Sequence, residues 1–583
     1  MRIDTFCPPV NDDLLRRHNF FELYPFDGGG CFIHREIVGT IDDDEIFDRI
    51  VKKSALGDFG QLPHLNFSKF ERWRTIEKSC WMNRCYFLAP LAKKYWLTKD
   101  ESIALLVKET ILHFIANYRP PATKEEVGEH QKRVFWNRDH NYNSKSFDEY
   151  SKDETDVEYI WFDFQPASRI IHFLYAMHFL KDSPSVSPED WSAFEKSIQE
   201  HARVIMIGEK YFDELAPGNH QSLRGLALLF AAAFLAGTED GKIFEEEGLR
   251  ICDYHVRYDY FNDGVLREVS PSYHMFETWH MRDAFLLSRQ YGFNLCPEAQ
   301  EVLAKAGLFA RSLAQPDGRS TVINDGYALQ LDAFIASLPV TTGKAGDGAS
   351  AFFNDAGLAF FRDEARYLMV DASPFTGSFS HYHSGKNALT YWHTSKPFLI
   401  DSACCSYDDP LFAQWYKKSD AHSTLLVEGH GDSCLKGTYE WLASASVKCD
   451  GWSRSKGKRR LSSTLSSPAA GWEGVLWRRE IELEEKNGVA LVDKVTTSKI
   501  GTALDFIFNL HPDVKPELAG KCVLLKNGGV TLRMSFDSET PFGIALLAGR
   551  AFIDFKHSDC VRICVSLKTA PNETVLLTRI LEA

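Results

Sequence analysis

The chain has 583 residues, 44% of them hydrophobic and 25% charged, an ordinary balance for a folded protein but too long for one compact core, so two or three domains are expected. A net charge of −14 argues against a nucleic-acid partner, which selects a basic surface, yet leaves room for an acidic polymer held by a local basic cleft. The 13 cysteines are scattered without a CxxC pair and read as buried thiols that demand no oxidising compartment. The opening MRIDTFCPPVNDDLL has no apolar run of a signal peptide, and no stretch is long and apolar enough to span a membrane. Aromatic residues reach 13%, which suits either stacking on sugar rings or large cores.

In chain order, the first elements read as helices. Residues 42–56, DDDEIFDRIVKKSAL, open with acids and place apolar residues at helical spacing. Residues 99–118, KDESIALLVKETILHFIANY, repeat the pattern, with Pro120 and Pro121 beyond their end. Helices are also predicted over 167–180, 188–206, 220–237, 241–256, 278–293 and 296–315. Several are apolar nearly all round, which requires neighbours on more than one side. Many helices joined by short loops suggest an α/α toroid or an α-solenoid, and no clear repeat supports the solenoid.

The character changes over 337–350, SLPVTTGKAGDGAS. Strand-like runs follow at 388–403, 422–429, 475–497, 522–536 and 561–581, with the hairpin signals KNG and NGG among them. Strands without intervening helices argue an antiparallel β-sandwich. The predicted architecture is multidomain, α then β: an incomplete α/α toroid over 1–340 and an antiparallel β-sandwich over 341–583.

Four clusters carry potential chemistry. In PGNHQSLRG, Asn219 and His220 open a predicted helix, either as a cap or as a place that favours an anion. DGVLREVSPSYH packs Arg267, Glu268, Tyr273 and His274 into a turn-rich stretch, where the tyrosine is either a proton carrier or a buried phenol with one hydrogen bond. SHYHSG sets His381 and His383 on either side of Tyr382. LIDSA and DAHSTLLVEG supply Asp401 and His422; with His383 these make a two-histidine, one-carboxylate set that suits zinc, although iron, manganese or nickel take similar ligands.

Taken in this order, across roughly residues 60 to 480, the stretches resemble those of the heparinase II/III-like polysaccharide lyases, in which an α/α toroid precedes an antiparallel β-sandwich. The resemblance implies β-elimination at a uronic acid. Asn219 and His220 match the pair that neutralises the uronate carboxylate, and Tyr273 and His381 match the proton carriers. On one sugar epimer Tyr273 acts as both base and acid; on the other His381 is the base. Gln165, Arg267 and Tyr416 are implied to hold the acidic sugar, and His383, Asp401 and His422 to hold a structural zinc, with no organic cofactor. The expected substrate is an acidic polysaccharide, a glycosaminoglycan of the heparan sulfate, hyaluronan or chondroitin type, with alginate or another polyuronate as the alternative. The resemblance implies a periplasmic or secreted protein, and a cytoplasmic one stays open because no signal peptide is visible. Oligomeric state is not legible. Two positions depart from the family pattern: Tyr382 replaces a glycine and Gly385 an aspartate, so one contact that orients the histidines lacks its usual residue.

Two rivals remain at this level. A glycoside hydrolase on an α/α toroid needs two carboxylates flanking the bond, and Asp263, Glu268, Glu277 and Asp283 are available. A carbohydrate-binding protein that kept the fold without the activity is the other.

Overall fold

A computed structural model describes residues 2–25, 42–68, 82–128, 160–161, 163–212, 214–340, 350–376, 381–407, 409–437, 440–455, 457–484 and 488–583. The chain divides into two compact units. The first comprises Met1–Tyr260, Met275–Gly307 and Asp332–Thr341, and the second Phe261–His274, Leu308–Leu331 and Thr342–Ala583.

The helical region contains α1 (Leu88–Thr98), α2 (Glu101–Asn117), α3 (Gln165–Leu180), α4 (Pro188–Phe212), α5 (Asn219–Phe234), α6 (Glu239–Tyr258), α7 (Pro271–Tyr291) and α8 (Glu298–Leu313). Side-chain caps start several of them: Asp100 accepts from the Ser102 N–H at α2, and Thr238 from the Gly241 N–H at α6. Every residue of α3 is buried, so it sits among other helices, as its all-round apolarity predicts. Helices α5 and α6 approach closely because glycines face the contact. A Cβ on Gly248 would lie 2.9 Å from Leu229 and 3.0 Å from the Gly225 carbonyl oxygen.

The helix predicted over 42–56 is shorter: Asp43–Phe47 runs into a π-helical turn, Asp48–Lys52, and Ser54 takes a positive φ of 50° that ends it. Helix α1 was not signalled by periodicity; it carries Pro90 in its first turn, where the missing N–H is harmless.

The second unit holds three larger antiparallel sheets and a two-stranded one that pairs Cys434–Leu435 with Trp441–Ala443. The five-stranded sheet runs in order β1 (Ala351–Phe353), β2 (Leu358–Arg362), β3 (Arg366–Asp371), β4 (Ala388–His393) and β5 (Lys396–Leu399). The later strands are β6 (Leu425–Val427), β7 (Ser446–Ser455), β8 (Lys458–Ser466), β9 (Leu476–Glu484), β10 (Gly488–Thr496), β11 (Ala503–Asn509), β12 (Lys515–Ala519), β13 (Cys522–Asn527), β14 (Val530–Asp537), β15 (Phe542–Ile553), β16 (Lys556–Lys568) and β17 (Thr574–Glu582). They form an eight-stranded sheet, β7-β8-β9-β10-β17-β14-β13-β12, and a four-stranded sheet, β15-β16-β11-β6. One continuous core, from Phe361 and Leu389 through Leu461 and Ile481 to Phe506 and Val565, joins all three sheets.

Burial alternates along β9 and β10, which puts Trp477, Arg479, Ile481 and Leu483 on the inner face opposite Val489, Leu491, Asp493 and Val495. Arg479 and Asp493 are paired in register inside that core. The guanidinium donates to both carboxylate oxygens at 2.7 and 3.1 Å and to the carbonyls of Asn387 and Ser423, so the buried charge is fully partnered. All eleven described cysteines are free thiols, and no described helix is long and apolar enough to cross a membrane.

Candidate active site

In the helical unit, Asn219 and His220 are the first residues of α5, which begins after Gly218 at φ 146°. Asn219 is buried, whereas the His220 side chain is 50% exposed. The imidazole packs edge-on against Phe164 at 4.4 Å and bonds through Nδ1 to the Asp163 carboxylate. Nε2 is thereby the atom left for a ligand. Asp163 also accepts from Arg224 at 2.5 Å, and Arg224 reaches Glu209. Burial alone would raise the Asp163 pKa, but His220, Arg224 and Arg84 outweigh it and lower it to about 2. His220 therefore rests on a permanent negative charge. Gln165 is buried, with Oε1 accepting from Arg84 at 3.2 Å; in this conformation it braces Arg84, whose guanidinium lies over Phe164.

In the β unit, the two residues expected to move protons lie together. The Tyr273 ring stacks on the His381 ring at 3.7 Å with a 20° interplanar angle. His381 Nδ1 donates to Glu268 at 2.5 Å, which fixes the ring and leaves Nε2 as the basic nitrogen. Tyr273 shares a 2.9 Å hydrogen bond with Tyr407, and Tyr407 donates to Asp325 at 3.2 Å. Burial and the Asp325 charge hold the Tyr273 phenol well above its ordinary pKa, so it rests protonated. The backbone N–H of Asp325 donates to the His381 carbonyl at 3.0 Å, and Asn324 Oδ1 accepts from the His383 N–H. The loop around Asn324 and Asp325 thus organises both histidines.

The two departures have structural reasons. Tyr382 is buried, and its hydroxyl donates to the Arg267 carbonyl at 2.6 Å and meets Thr376, so it braces the turn that carries Arg267 and Glu268. The Arg267 guanidinium lies 4.9 Å over Phe261. Gly385 has φ 144°, and a Cβ there would sit 2.7 Å from the His422 side chain, so no aspartate fits. Another loop supplies the carboxylate: Asp432 accepts from the Gly385 N–H at 3.0 Å, the Lys386 N–H at 2.6 Å and Ser384 Oγ at 2.8 Å.

The expected metal ligands are close but not all convergent. His422 donates from Nε2 to the Tyr416 carbonyl at 3.0 Å, which leaves Nδ1 facing Asp401 at 2.7 Å. Burial would lower the His422 pKa, but the Asp401 carboxylate outweighs it and raises it, so a proton or a cation belongs between Nδ1 and the carboxylate. The His383 and His422 rings are 5.4 Å apart, and His383 Nδ1 is buried with no hydrogen-bond partner among the described residues. Burial lowers the His383 pKa to about 4, so the ring is neutral, the state that ligates metal. By donor type the set suits zinc. Among the described residues, however, the three ligand atoms that converge within 4.8 Å of one another belong to Asp325, His383 and Cys404, with His383 Nε2 at 2.7 Å from Asp325. Asp325 was not among the residues singled out in the sequence, nor was Cys404 as a ligand. Tyr416 is buried; its hydroxyl bonds to His557 Nδ1 at 2.8 Å, and His557 Nε2 reaches Asp409.

The site contacts that sequence reasoning missed are those of Asp163, Asp325, Tyr407 and Asp432, with Glu268 noted but not as the partner of His381. The available signal was chemical: Asn324-Asp325-Gly326 is a polar trio between apolar runs that proves buried at both Asn324 and Asp325.

Comparison with known proteins identifies the family. The description "Heparinase II/III N-terminus" matches residues 64–340, and "Heparinase II/III-like, C-terminal" matches residues 345–565. A heparin-sulfate lyase of Bacteroides stercoris is 20% identical over 505 residues, covering 81% of this chain and 70% of that protein. A heparin-sulfate lyase of Bacteroides thetaiotaomicron is 21% identical over 313 residues, covering 46% of this chain and 44% of that protein. Among solved structures, heparinase III shares the fold with a TM-score of 0.69 at 17% identity, covering 91% of this chain and 81% of that one. The heparan sulfate lyase HepC from Pedobacter heparinus does so with a TM-score of 0.61 at 15% identity, covering 90% and 79%. The helical region, the antiparallel sheets that follow it, and both family descriptions lead to one conclusion: the chain belongs to the heparinase II/III-like family and is a polysaccharide lyase.

Proposed function

We propose that the protein cleaves a glycosaminoglycan by β-elimination at the uronic acid, with Tyr273 as the central proton carrier. The observation that carries this reading is the stack of Tyr273 on His381, with His381 held by Glu268. Removal of the C5 proton builds negative charge on the uronate carboxylate, and Asn219 and His220 are assigned to neutralise it. The C4–O4 bond then breaks, a C4–C5 double bond forms, and O4 takes a proton. His381 Nε2 serves as base for one uronate epimer with Tyr273 as acid; for the other epimer Tyr273 fills both roles. Arg267 is assigned to the acidic sugar. Gln165 and Tyr416 act on it through the groups they hold, since both are buried.

His383, Asp401 and His422 are assigned as zinc ligands, with Asp325 and Cys404 as neighbours able to share the site. When bound, zinc supplies a structural brace. Proton transfer belongs to Tyr273 and His381. The two modules are taken as residues 1–340 and 341–583, in keeping with where the two family descriptions end and begin. Because this is a lyase of extracellular polymers, a periplasmic or secreted location is inferred.

The deciding experiment digests heparan sulfate, hyaluronan, chondroitin sulfate and alginate in parallel and follows the ultraviolet absorbance of the unsaturated uronate. Wild type generates absorbance on at least one glycosaminoglycan, and Tyr273→Phe, which deletes one oxygen, loses most turnover while keeping its melting temperature. Reducing ends without absorbance would point to hydrolysis instead, and a Tyr273→Phe variant within a few-fold of wild type would remove Tyr273 from the chemistry.

A further inference from the structure

Strands β7 and β8 pair so that Arg454 stands directly opposite Arg459 and Trp452 opposite Leu461. Cross-strand partners share a face of the sheet. Leu461 belongs to the sandwich core, Trp452 packs against it, and Trp452 stacks on Phe352 at 5.4 Å. Arg454 and Arg459 therefore stand on the core-side face, one pair beyond the last apolar layer, at the rim of the sandwich.

The other described cations of β8, β9 and β10 all have carboxylate partners. Lys458 bonds Glu482 and Glu484; Arg460, Arg478 and Lys494 converge on Glu480; Arg479 holds Asp493. The opposed pair has none among the described residues. Among the described residues, the exposed Arg454 donates only to the Ser350 carbonyl, at 3.5 Å, and Arg459 keeps Nε and Nη1 buried with no hydrogen-bond partner. Like charges directly across a ladder repel, and at Arg459 two charged donors are also withdrawn from water without acceptors, which is unfavourable, while Arg454 stays exposed to solvent. One oxyanion held between the two guanidinium groups would relieve that repulsion.

We infer that Arg454 and Arg459 form an anion-binding exosite for a sulfate or carboxylate group of an acidic polysaccharide, separate from the residues that move protons. A chain of net charge −14 repels a polyanion over much of its surface, so a cationic pair at a sheet rim is a place where such a polymer gains contact. The polysaccharide as source rests on the lyase reading; oxyanion binding does not.

The test compares wild type, the double variant Arg454→Gln/Arg459→Gln, and Arg460→Gln as a control for loss of a paired charge. Melting temperature is read in sodium sulfate against sodium chloride at equal ionic strength, and kinetics are read on heparan sulfate and on a tetrasaccharide prepared from it. Sulfate stabilises folded proteins in general, so it should raise the melting temperature of wild type and of Arg460→Gln by more than that of the double variant. The double variant should raise KM for the polymer about fivefold, with kcat and tetrasaccharide kinetics unchanged. An equal sulfate response in all three proteins overturns the site. A reduced sulfate response with unchanged polymer KM overturns the polysaccharide as its ligand and leaves a free oxyanion. If wild type degrades no polysaccharide, the lyase reading fails while the sulfate comparison still decides the site.

Discussion

Tyr273 and His381 are held in different ways, and each hold can be removed singly. Tyr407 reaches Tyr273 from one side and Asp325 from the other, so it can turn its proton toward a phenolate formed on Tyr273. Tyr407→Phe should lower kcat about tenfold with little change in KM or melting temperature, the signature of support for a transition state. A KM effect alone would place Tyr407 in sugar binding instead. Glu268→Gln should also act on kcat, because the neutral amide can donate as well as accept and no longer fixes the His381 tautomer. Gly385 tests the other face of the loop. Gly385→Ala combines a positive φ with a Cβ 2.7 Å from His422, so a loss of about 2–4 kcal/mol is expected in denaturant melts. A neutral result would mean that the loop can move off His422 without cost. None of these contacts was readable from local sequence, since Tyr407 and Glu268 lie 134 and 113 residues from their partners.

At the level of elements, the pairing of β9 with β10 shows how a sheet takes charge into its core. Arg479 faces inward by the same alternation that buries Trp477 and Ile481, and Asp493 meets it in register. Arg479→Met should destabilise by about 3–5 kcal/mol, because Asp493 is left buried without its cation. Replacing both, as Arg479→Met/Asp493→Leu, should recover much of that loss. If the double variant is as unstable as the single one, the carbonyls of Asn387 and Ser423 matter more than the ion pair. The strands β9 and β10 were predicted from alternation and the KNG turn. Strands β7 and β8 were not, because their few core-packing residues, Val447, Cys449 and Trp452 in β7 and Leu461 and Leu465 in β8, are set among polar ones.

For the whole molecule, acid and metal are the two conditions that report on the site. Asp163 has a folded pKa depressed to about 2, so its contribution is present above the unfolded carboxylate range and is lost as pH falls from about 4 toward 2. Asp163→Asn should be less stable than wild type by about 2 kcal/mol at neutral pH, with the gap closing in that acid window. A gap that persists unchanged below pH 2 would mean that the loss is packing and not charge. Metal analysis of the purified protein should find about one zinc per chain, and chelation should lower the melting temperature before it lowers initial turnover, since the proposed proton carriers need no metal. Metal-free protein with full activity and an undiminished melting temperature would remove zinc from the account.

The sequence by itself determined the order of helices before strands, because hydrophobic periods of 3.6 and 2 are local properties. It also marked Asn219, His220, Tyr273 and His381 as chemically notable, because their neighbours in the chain form recognisable stretches. Only the tertiary structure decided that Asp163 backs His220, that Asp325 lies beside His383, and that Asp432 stands in where Gly385 has no side chain. The physical reason is that a buried charged or polar group needs a partner in space, at hydrogen-bond distance, and the chain can bring that partner from any point along its length.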